Sequence, residues 1–130
     1  MISLRGIGEK GTEQEGKFRE PIWIMPNDEK PALTIARHAA RWAQYHVACF
    51  MIPAVIKAGA VIENNAKEHH VAEFTTLLVD LDMGDTDAKL AYLEQRMGAA
   101  SMVVYSGGIT DTGQPKRHAY WKLREPHRSG

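Results

Sequence analysis

The sequence predicts an α/β (α+β) fold in which helices pack on one side of a sheet. Two helical patterns of apolar residues alternate along the chain with short β-branched or aliphatic runs that are bounded by Gly and Pro. The chain has 130 residues, of which 44% are hydrophobic and 25% are charged, as in a globular protein. This length is typical of one domain with a single core.

The first half is predicted to contain one helix between short strands. Residues 1–20 are rich in Gly, Glu and Lys without periodicity, which predicts a mobile lead-in before a single domain at 21–130. A short strand is expected at 22–25, and a strand at 47–56 is interrupted by Pro53. A helix is expected at 31–46, where Pro31 suits the first turn and apolar residues recur on one face. The residues of that face are Leu33, Ala36, Ala40, Ala43 and Val47, flanked by Ile35, Ala39 and Trp42.

The second half is predicted to follow the order strand, helix, strand, strand. An apolar strand at 74–82 precedes a helix at 87–97, which begins after Asp85 or Thr86 as its N-cap and ends before Gly98. A β-branched strand at 101–106 and a strand at 117–123 are separated by a turn-rich loop at 107–116. Trp42 and Trp121, each on an apolar face, are expected in the core.

The net charge and the cysteine count limit the classes of protein to which this chain can belong. Sixteen basic and sixteen acidic residues give zero formal charge, which is not the electrostatic footprint of a wide basic surface that grips nucleic acid. It does not exclude an enzyme that holds phosphates through bound metals and a few cations. The single cysteine, Cys49, excludes an internal disulfide, and without a signal peptide or membrane span it predicts a cytoplasmic location.

The apolar strand at 74–82 ends in two alternating carboxylates, Asp80 and Asp82. Alternate side chains on a strand share a face, and the Cα atoms of residues two apart are separated by roughly 7 Å. Two carboxylates held this close favour a divalent cation that neutralises both. The alternative is that the strand simply ends there and the acids are solvated.

A second polar group lies on the last two predicted strands. Alternation places His118 and Tyr120 on one face of the final strand and Arg117 on the opposite face. If these strands share a sheet with the apolar strand, His118 meets the two carboxylates on its exposed side. The groups suited to nucleotide phosphates are Ser106, Gly107, Lys116, Arg117, His118 and Tyr120.

These motifs resemble those of the archaeo-eukaryotic primase superfamily, in particular the primase and primase-polymerase domains of plasmids, phages and integrated elements. The resemblance covers roughly residues 45–125, with an apolar strand ending in Asp-x-Asp, a helix, a strand into Ser-Gly-Gly and a strand with His-x-Tyr-Trp. It implies an RRM-like antiparallel or mixed sheet with helices behind it, preceded by a smaller α/β unit.

The resemblance also implies the chemistry. Asp80 and Asp82 would bind the catalytic Mg²⁺ or Mn²⁺ ions, and His118 would contact the phosphates of the incoming nucleotide. The implied activity is nucleotidyl transfer from nucleoside triphosphates on a DNA template, with a helicase domain or protein as a further partner. The family has a third acidic motif after the histidine, whereas only Glu125 follows here. The sequence is therefore expected to be an N-terminal fragment of a longer primase.

Two other classes fit part of the pattern. A phosphatase of the haloacid dehalogenase type also carries Asp-x-Asp after an apolar strand, but there Gly-Thr normally follows, and here Met83 does. A non-catalytic RRM-like module that binds nucleic acid or a protein partner would present aromatic side chains on the sheet. Tyr120 is the obvious candidate for such an aromatic group.

A pair of adjacent histidines, His69 and His70, lies beside Glu68. Adjacent side chains point apart on a strand, and no Cys or His partner stands at the spacing of a zinc site. The sequence therefore predicts a solvated loop at this position.

Overall fold

Two antiparallel sheets and three α-helices form residues 1–128, the part of the chain that a computed structural model describes. This arrangement confirms the predicted mixed α+β class. The chain divides into two compact units, the first formed by Met1–Phe74 with Arg128 and the second by Thr75–His127. None of the helices in residues 1–128 is long and apolar enough to cross a membrane.

The first unit contains a three-stranded sheet and two α-helices. Its sheet has the order β2-β1-β3, and both neighbours of β1 run antiparallel to it. The elements are β1 (Ile2–Gly8), β2 (Ile22–Ile24), α1 (Pro31–Ala43), β3 (Val47–Met51), β4 (Val55–Ile56), α2 (Gly59–Ile62) and a 3₁₀ turn (Glu68–His70). Pro53 separates β3 from β4, as its missing N–H predicts.

The central strand β1 corrects the expectation that no regular structure precedes residue 21. The glycines of this strand gave the segment the composition of a loop. The structure shows that Gly6 and Gly8 are needed because neighbouring atoms leave no room for a Cβ atom. A Cβ atom on Gly6 would lie 2.9 Å from Val47 Cγ1, and one on Gly8 would lie 1.5 Å from the carbonyl oxygen of Gln14. The chain therefore uses glycine where the segment after β1 crosses closely over it.

Helix α1 begins at Pro31 as predicted, but its buried side is shifted towards the residues that flank the predicted face. Leu33, Ala36, Ala40 and Ala43 are exposed, whereas Val47, which follows the helix in β3, is buried. The partly buried side is instead formed by Thr34, Ile35, His38, Ala39 and Trp42. This helix is rich in alanine, so its apolar pattern allows two orientations, and the face with the larger Ile35 and Trp42 side chains is the one that packs.

The second unit is built from β5 (Val71–Leu81), α3 (Thr86–Met97), β6 (Met102–Ile109) and β7 (Pro115–Arg128). Strand β5 begins in the first unit, where Val71 and Glu73 pair with β4. In the second unit the strand order is β5-β7-β6. The last strand in sequence thus lies between the two strands that α3 connects, which is a split β-α-β arrangement.

Helix α3 covers one face of this sheet. Leu81, Ala119 and Trp121 form the buried centre, and the indole N–H of Trp121 donates to the carbonyl oxygen of Gly98 at 2.9 Å. The core position predicted for Trp121 is thereby confirmed. The partly buried residues around it are Val79, Leu90, Leu93, Ala100 and Val103. The opposite sheet face has no helix of this unit on it.

The ends of α3 follow their local signals. Asp85 is the N-cap, and its carboxylate accepts the backbone N–H of Ala88 at 2.9 Å, which lowers the pKa of Asp85. Gly98 follows the helix with a positive φ of 84°. In contrast, β7 is 14 residues long (Pro115–Arg128), so it begins two residues before the predicted strand at 117–123 and ends five residues after it.

We predict that Gly8→Ala destabilises the protein by about 2–3 kcal/mol, because the added methyl group displaces the backbone at Gln14. Chemical denaturation of the full chain measures this loss. Gly59→Ala is the matched control, since the nearest atom to its new Cβ is 3.9 Å away and alanine suits a helix, so its stability changes by less than about 1 kcal/mol. Equal stability of the two variants would show that β1 does not pack as described.

Candidate functional site

The open face of the β5-β7-β6 sheet brings Asp80 and His118 together. Nε2 of His118 lies 3.4 Å from Oδ1 of Asp80. The side chain of Asp80 is 58% exposed and that of His118 is 27% exposed, so both groups remain accessible to a ligand. Residues that are 38 positions apart in sequence therefore form one polar pair on neighbouring strands.

Asp82 follows the last residue of β5 and is exposed. Within residues 1–128 its carboxylate has no hydrogen bond or ion pair, so it is free to bind a cation. The ligand atoms of Asp80, Asp82 and His118 do not all lie within 4.8 Å of one another. Among residues 1–128, a group that is this close consists of Glu63, His69 and His70. The structure thus pairs Asp80 with His118 and places Asp82 in the turn two residues after Asp80.

Hydrogen bonds between the β5–α3 turn and the β6–β7 hairpin fix the surroundings of this pair. The N–H of Gly84 donates to Asp111 Oδ1 at 3.0 Å, and the hydroxyl of Thr112 donates to the carbonyl oxygen of Gly84 at 2.8 Å. The buried Thr86 hydroxyl lies 3.2 Å from Gln114 Oε1 and 3.1 Å from the carbonyl oxygen of Pro115. These bonds, which we term the turn–hairpin tie, join the end of β5 to the start of β7.

Arg117 lies on the other side of the sheet from His118, as alternation predicts. Its guanidinium is buried with a residue exposure of 6%, pairs with the carboxylate of Asp87 and lies 5.5 Å from the ring centre of Tyr105. The structure therefore does not bring Arg117 together with Asp80 and His118. Its observed role is to anchor the first turn of α3 to β7.

The other predicted nucleotide-binding residues surround His118 along the strands. Val104 pairs with His118 and Met102 with Tyr120, so Tyr120 shares the open face. Lys116 lies two residues before His118 on the same face, and its side chain crosses Gly108, where an added Cβ would be 2.8 Å from Lys116 Cδ. Ser106 is exposed beside Gly107, whose φ is 85°, in the irregular part of the β6–β7 pairing.

A second cluster, formed by Glu63, His69 and His70 in the first unit, was not predicted from the sequence. Their ligand atoms all lie within 4.8 Å of one another. The two histidines occupy the 3₁₀ turn, not a strand, and their ring centres are 4.0 Å apart. This corrects the expectation that their side chains diverge into solvent. Their carboxylate partner is Glu63, which lies six and seven residues before the two histidines and was not linked to them by any spacing in the sequence.

The contacts of this cluster are those of a structural network. The backbone N–H of Lys67 donates to Nδ1 of buried His70, which leaves the ring proton on Nε2, 3.2 Å from Glu63 Oε1. His70 then offers no free lone pair to a metal, whereas metal-bound histidines donate their other N–H. The ammonium of Lys67, 2.7 Å from Glu63 Oε2, already supplies the positive charge.

The same contacts lower the pKa of Glu63 to about 2, chiefly through the Lys67 hydrogen bond with a contribution from His69. A carboxyl whose pKa falls on folding stabilises the fold above its ordinary pKa of 4.5. That stabilisation is lost as the pH falls from 4.5 towards 2. The network is therefore complete at neutral pH.

Comparison with protein-family models, with curated proteins and with solved structures finds no match to this chain. The resemblance to the primase superfamily therefore rests on the sequence motifs alone.

We predict that Thr86→Val lowers the free energy of unfolding by about 1 kcal/mol or more, because it removes the buried hydroxyl at the centre of the turn–hairpin tie. Thr76→Val is the matched control, since no hydrogen bond of the Thr76 side chain is present in residues 1–128 and its change stays within about 0.5 kcal/mol. Denaturant unfolding compares the two. A Thr86→Val protein as stable as the control would mean that the tie contributes nothing.

Proposed function

We propose that the second unit is a metal-dependent nucleotidyl-transfer domain of the primase type, which uses nucleoside triphosphates on a DNA template. The observation that carries this proposal is the Asp80–His118 pair on an open sheet face, with Asp82 two residues further on. A carboxylate pair beside a histidine supplies both kinds of group that a metal-bound triphosphate requires.

The division of labour follows from the chemistry of each group. Carboxylate oxygens are hard ligands suited to Mg²⁺ or Mn²⁺, so Asp80 and Asp82 would hold the metal. When bound, the metal neutralises phosphate charge and activates the attacking hydroxyl. With the Asp80 carboxylate bound to the metal, His118 would donate its Nε2–H to a phosphate oxygen and no longer to Asp80.

Neighbouring groups support a role in holding the triphosphate. Lys116 lies two residues before His118 on β7, so its ammonium group is on the same face of the sheet. The exposed Ser106 hydroxyl and the backbone at Gly107 offer further donors at the adjoining strand. Arg117 has a structural role in this proposal and does not bind the nucleotide, because its guanidinium is buried and paired with Asp87. A cytoplasmic location and a helicase partner accord with this activity.

One observation favours a non-catalytic RRM-like binding module as the second candidate. Leu78, Met102 and Val104 are exposed, and the pairing with β7 and the alternation along β5 place them on the open face around the polar pair. Such an aliphatic face suits a protein partner, whereas binding of unpaired bases would use a stacking aromatic ring, for which Tyr120 is the candidate. The phosphatase alternative gains no comparable support. Enzymes of that type also need a later lysine at the aspartate site, whereas the ion-pair partner of Asp80 among the described residues is His118.

The proposal predicts that Asp80→Asn lowers nucleotide incorporation at least about a hundredfold, because it removes a metal ligand. The assay supplies the full chain with a single-stranded DNA template, labelled nucleoside triphosphates and Mn²⁺ or Mg²⁺. Asp82→Asn should have a similar effect, and His118→Ala should chiefly weaken nucleotide binding.

Glu29→Gln is the matched control, since it removes one exposed carboxylate of the first unit, outside the site, and should retain activity. Circular dichroism verifies that each variant is folded. Wild-type activity in Asp80→Asn would contradict the proposal. Binding of nucleic acid without incorporation in any metal would favour the RRM-like module.

A further inference from the structure

The first unit has an open pocket of about 250 Å³ that combines cationic and aromatic side chains. Its lining consists of Arg19, Ile22, His38, Arg41, Trp42 and Tyr45. No acidic side chain contributes to it, and α1, which supplies three of the six residues, contains no Asp or Glu. This composition is unexpected in a chain whose formal charge is zero.

The two guanidinium groups of the pocket are not neutralised. Arg19 donates to the neutral side-chain oxygen of Gln14 at 2.8 Å, and neither arginine forms an ion pair within residues 1–128. Arg117, in contrast, is paired with a carboxylate. An unpaired guanidinium is well suited to a phosphate, which it binds through two parallel hydrogen bonds.

Two aromatic side chains, Trp42 and Tyr45, line the pocket. Tyr45 is 60% exposed, and Trp42 is partly buried beside it. The residues His38, Trp42 and Tyr45 recur at intervals of four and three, so they follow one side of α1 and its C-terminal turn. Exposed aromatic rings next to arginines are the surface on which unpaired bases stack while their phosphates are bound.

The fold holds this arrangement in place. The backbone N–H of Arg19 donates to the carbonyl oxygen of Gly6 at 2.9 Å, and the stem of Arg19 packs over that glycine. The backbone N–H of Tyr45 donates to the carbonyl oxygen of Trp42 at 2.9 Å, which fixes the turn after α1. The cationic and aromatic parts are thus positioned from two separate segments.

We infer that this pocket binds a single-stranded nucleic acid, with a phosphate at Arg19 and Arg41 and a base against Trp42 and Tyr45. A duplex would hide its bases from the rings and would need a wider basic surface than a neutral chain offers. The site goes beyond the proposed catalytic function, since all its residues belong to the first unit.

Fluorescence anisotropy of a labelled 12-nucleotide oligo(dT) with the full chain tests this inference. Arg41→Ala should weaken binding and flatten the slope of log affinity against log salt by about 0.7, the value for one lost phosphate contact. Tyr45→Leu should weaken binding about fivefold or more through lost stacking. Arg37→Ala is the matched control, because it removes the same charge from an exposed position one turn earlier on α1 but outside the pocket.

Competition identifies the ligand. Unlabelled oligo(dT) or oligo(U) should displace the probe, and their relative strengths distinguish DNA from RNA, whereas dTMP and duplex DNA should compete poorly. The binding measurements are made in EDTA, so that the metal site proposed in the second unit does not contribute and this site is tested separately from the catalytic proposal. The inference is overturned if Arg41→Ala matches Arg37→Ala, if Tyr45→Leu binds normally, or if dTMP competes as well as the oligonucleotide.

Discussion

The turn–hairpin tie is the constraint on which the candidate site depends. Asp80 belongs to β5 and His118 to β7, and the segments that follow and precede them are joined through Gly84, the buried Thr86 and the 110–114 hairpin. Buried polar groups hydrogen-bonded in this way admit few alternative geometries. The Arg117–Asp87 pair adds a second link from the start of α3 to β7. The Asp80–His118 contact is therefore a consequence of how the turn and the hairpin meet.

Much of the second unit could be predicted because its signals are local. The cap at Asp85, the glycine after α3 and the alternation along β7 each act within a few residues, so the sequence reveals them directly. Alternation also indicated correctly that Arg117 and His118 lie on opposite faces. What local signals could not give was the length of β7, whose ends depend on neighbouring strands.

The first unit was harder to predict because its structure depends on contacts that no local sequence signal reveals. Strand β1 carries glycines that accommodate Gln14 and Val47, and nothing near them in sequence shows this need. The buried side of α1 is chosen by the sheet beneath it, since alanines make either face acceptable. Likewise, the partner of His70 is Glu63, and only the folded turn brings the two together.

The metal and the nucleoside triphosphate are proposed to bind at Asp80, Asp82 and His118. Paramagnetic broadening by Mn²⁺, in two-dimensional NMR spectra of the full chain with a non-hydrolysable triphosphate, reports which residues lie near the bound ion. We expect the amide signals of these three residues and of the Ser106–Gly107 segment to broaden first, while those of Glu63, His69 and His70 persist. Broadening centred on the Glu63 cluster, or spread evenly over both units, would overturn the proposed site.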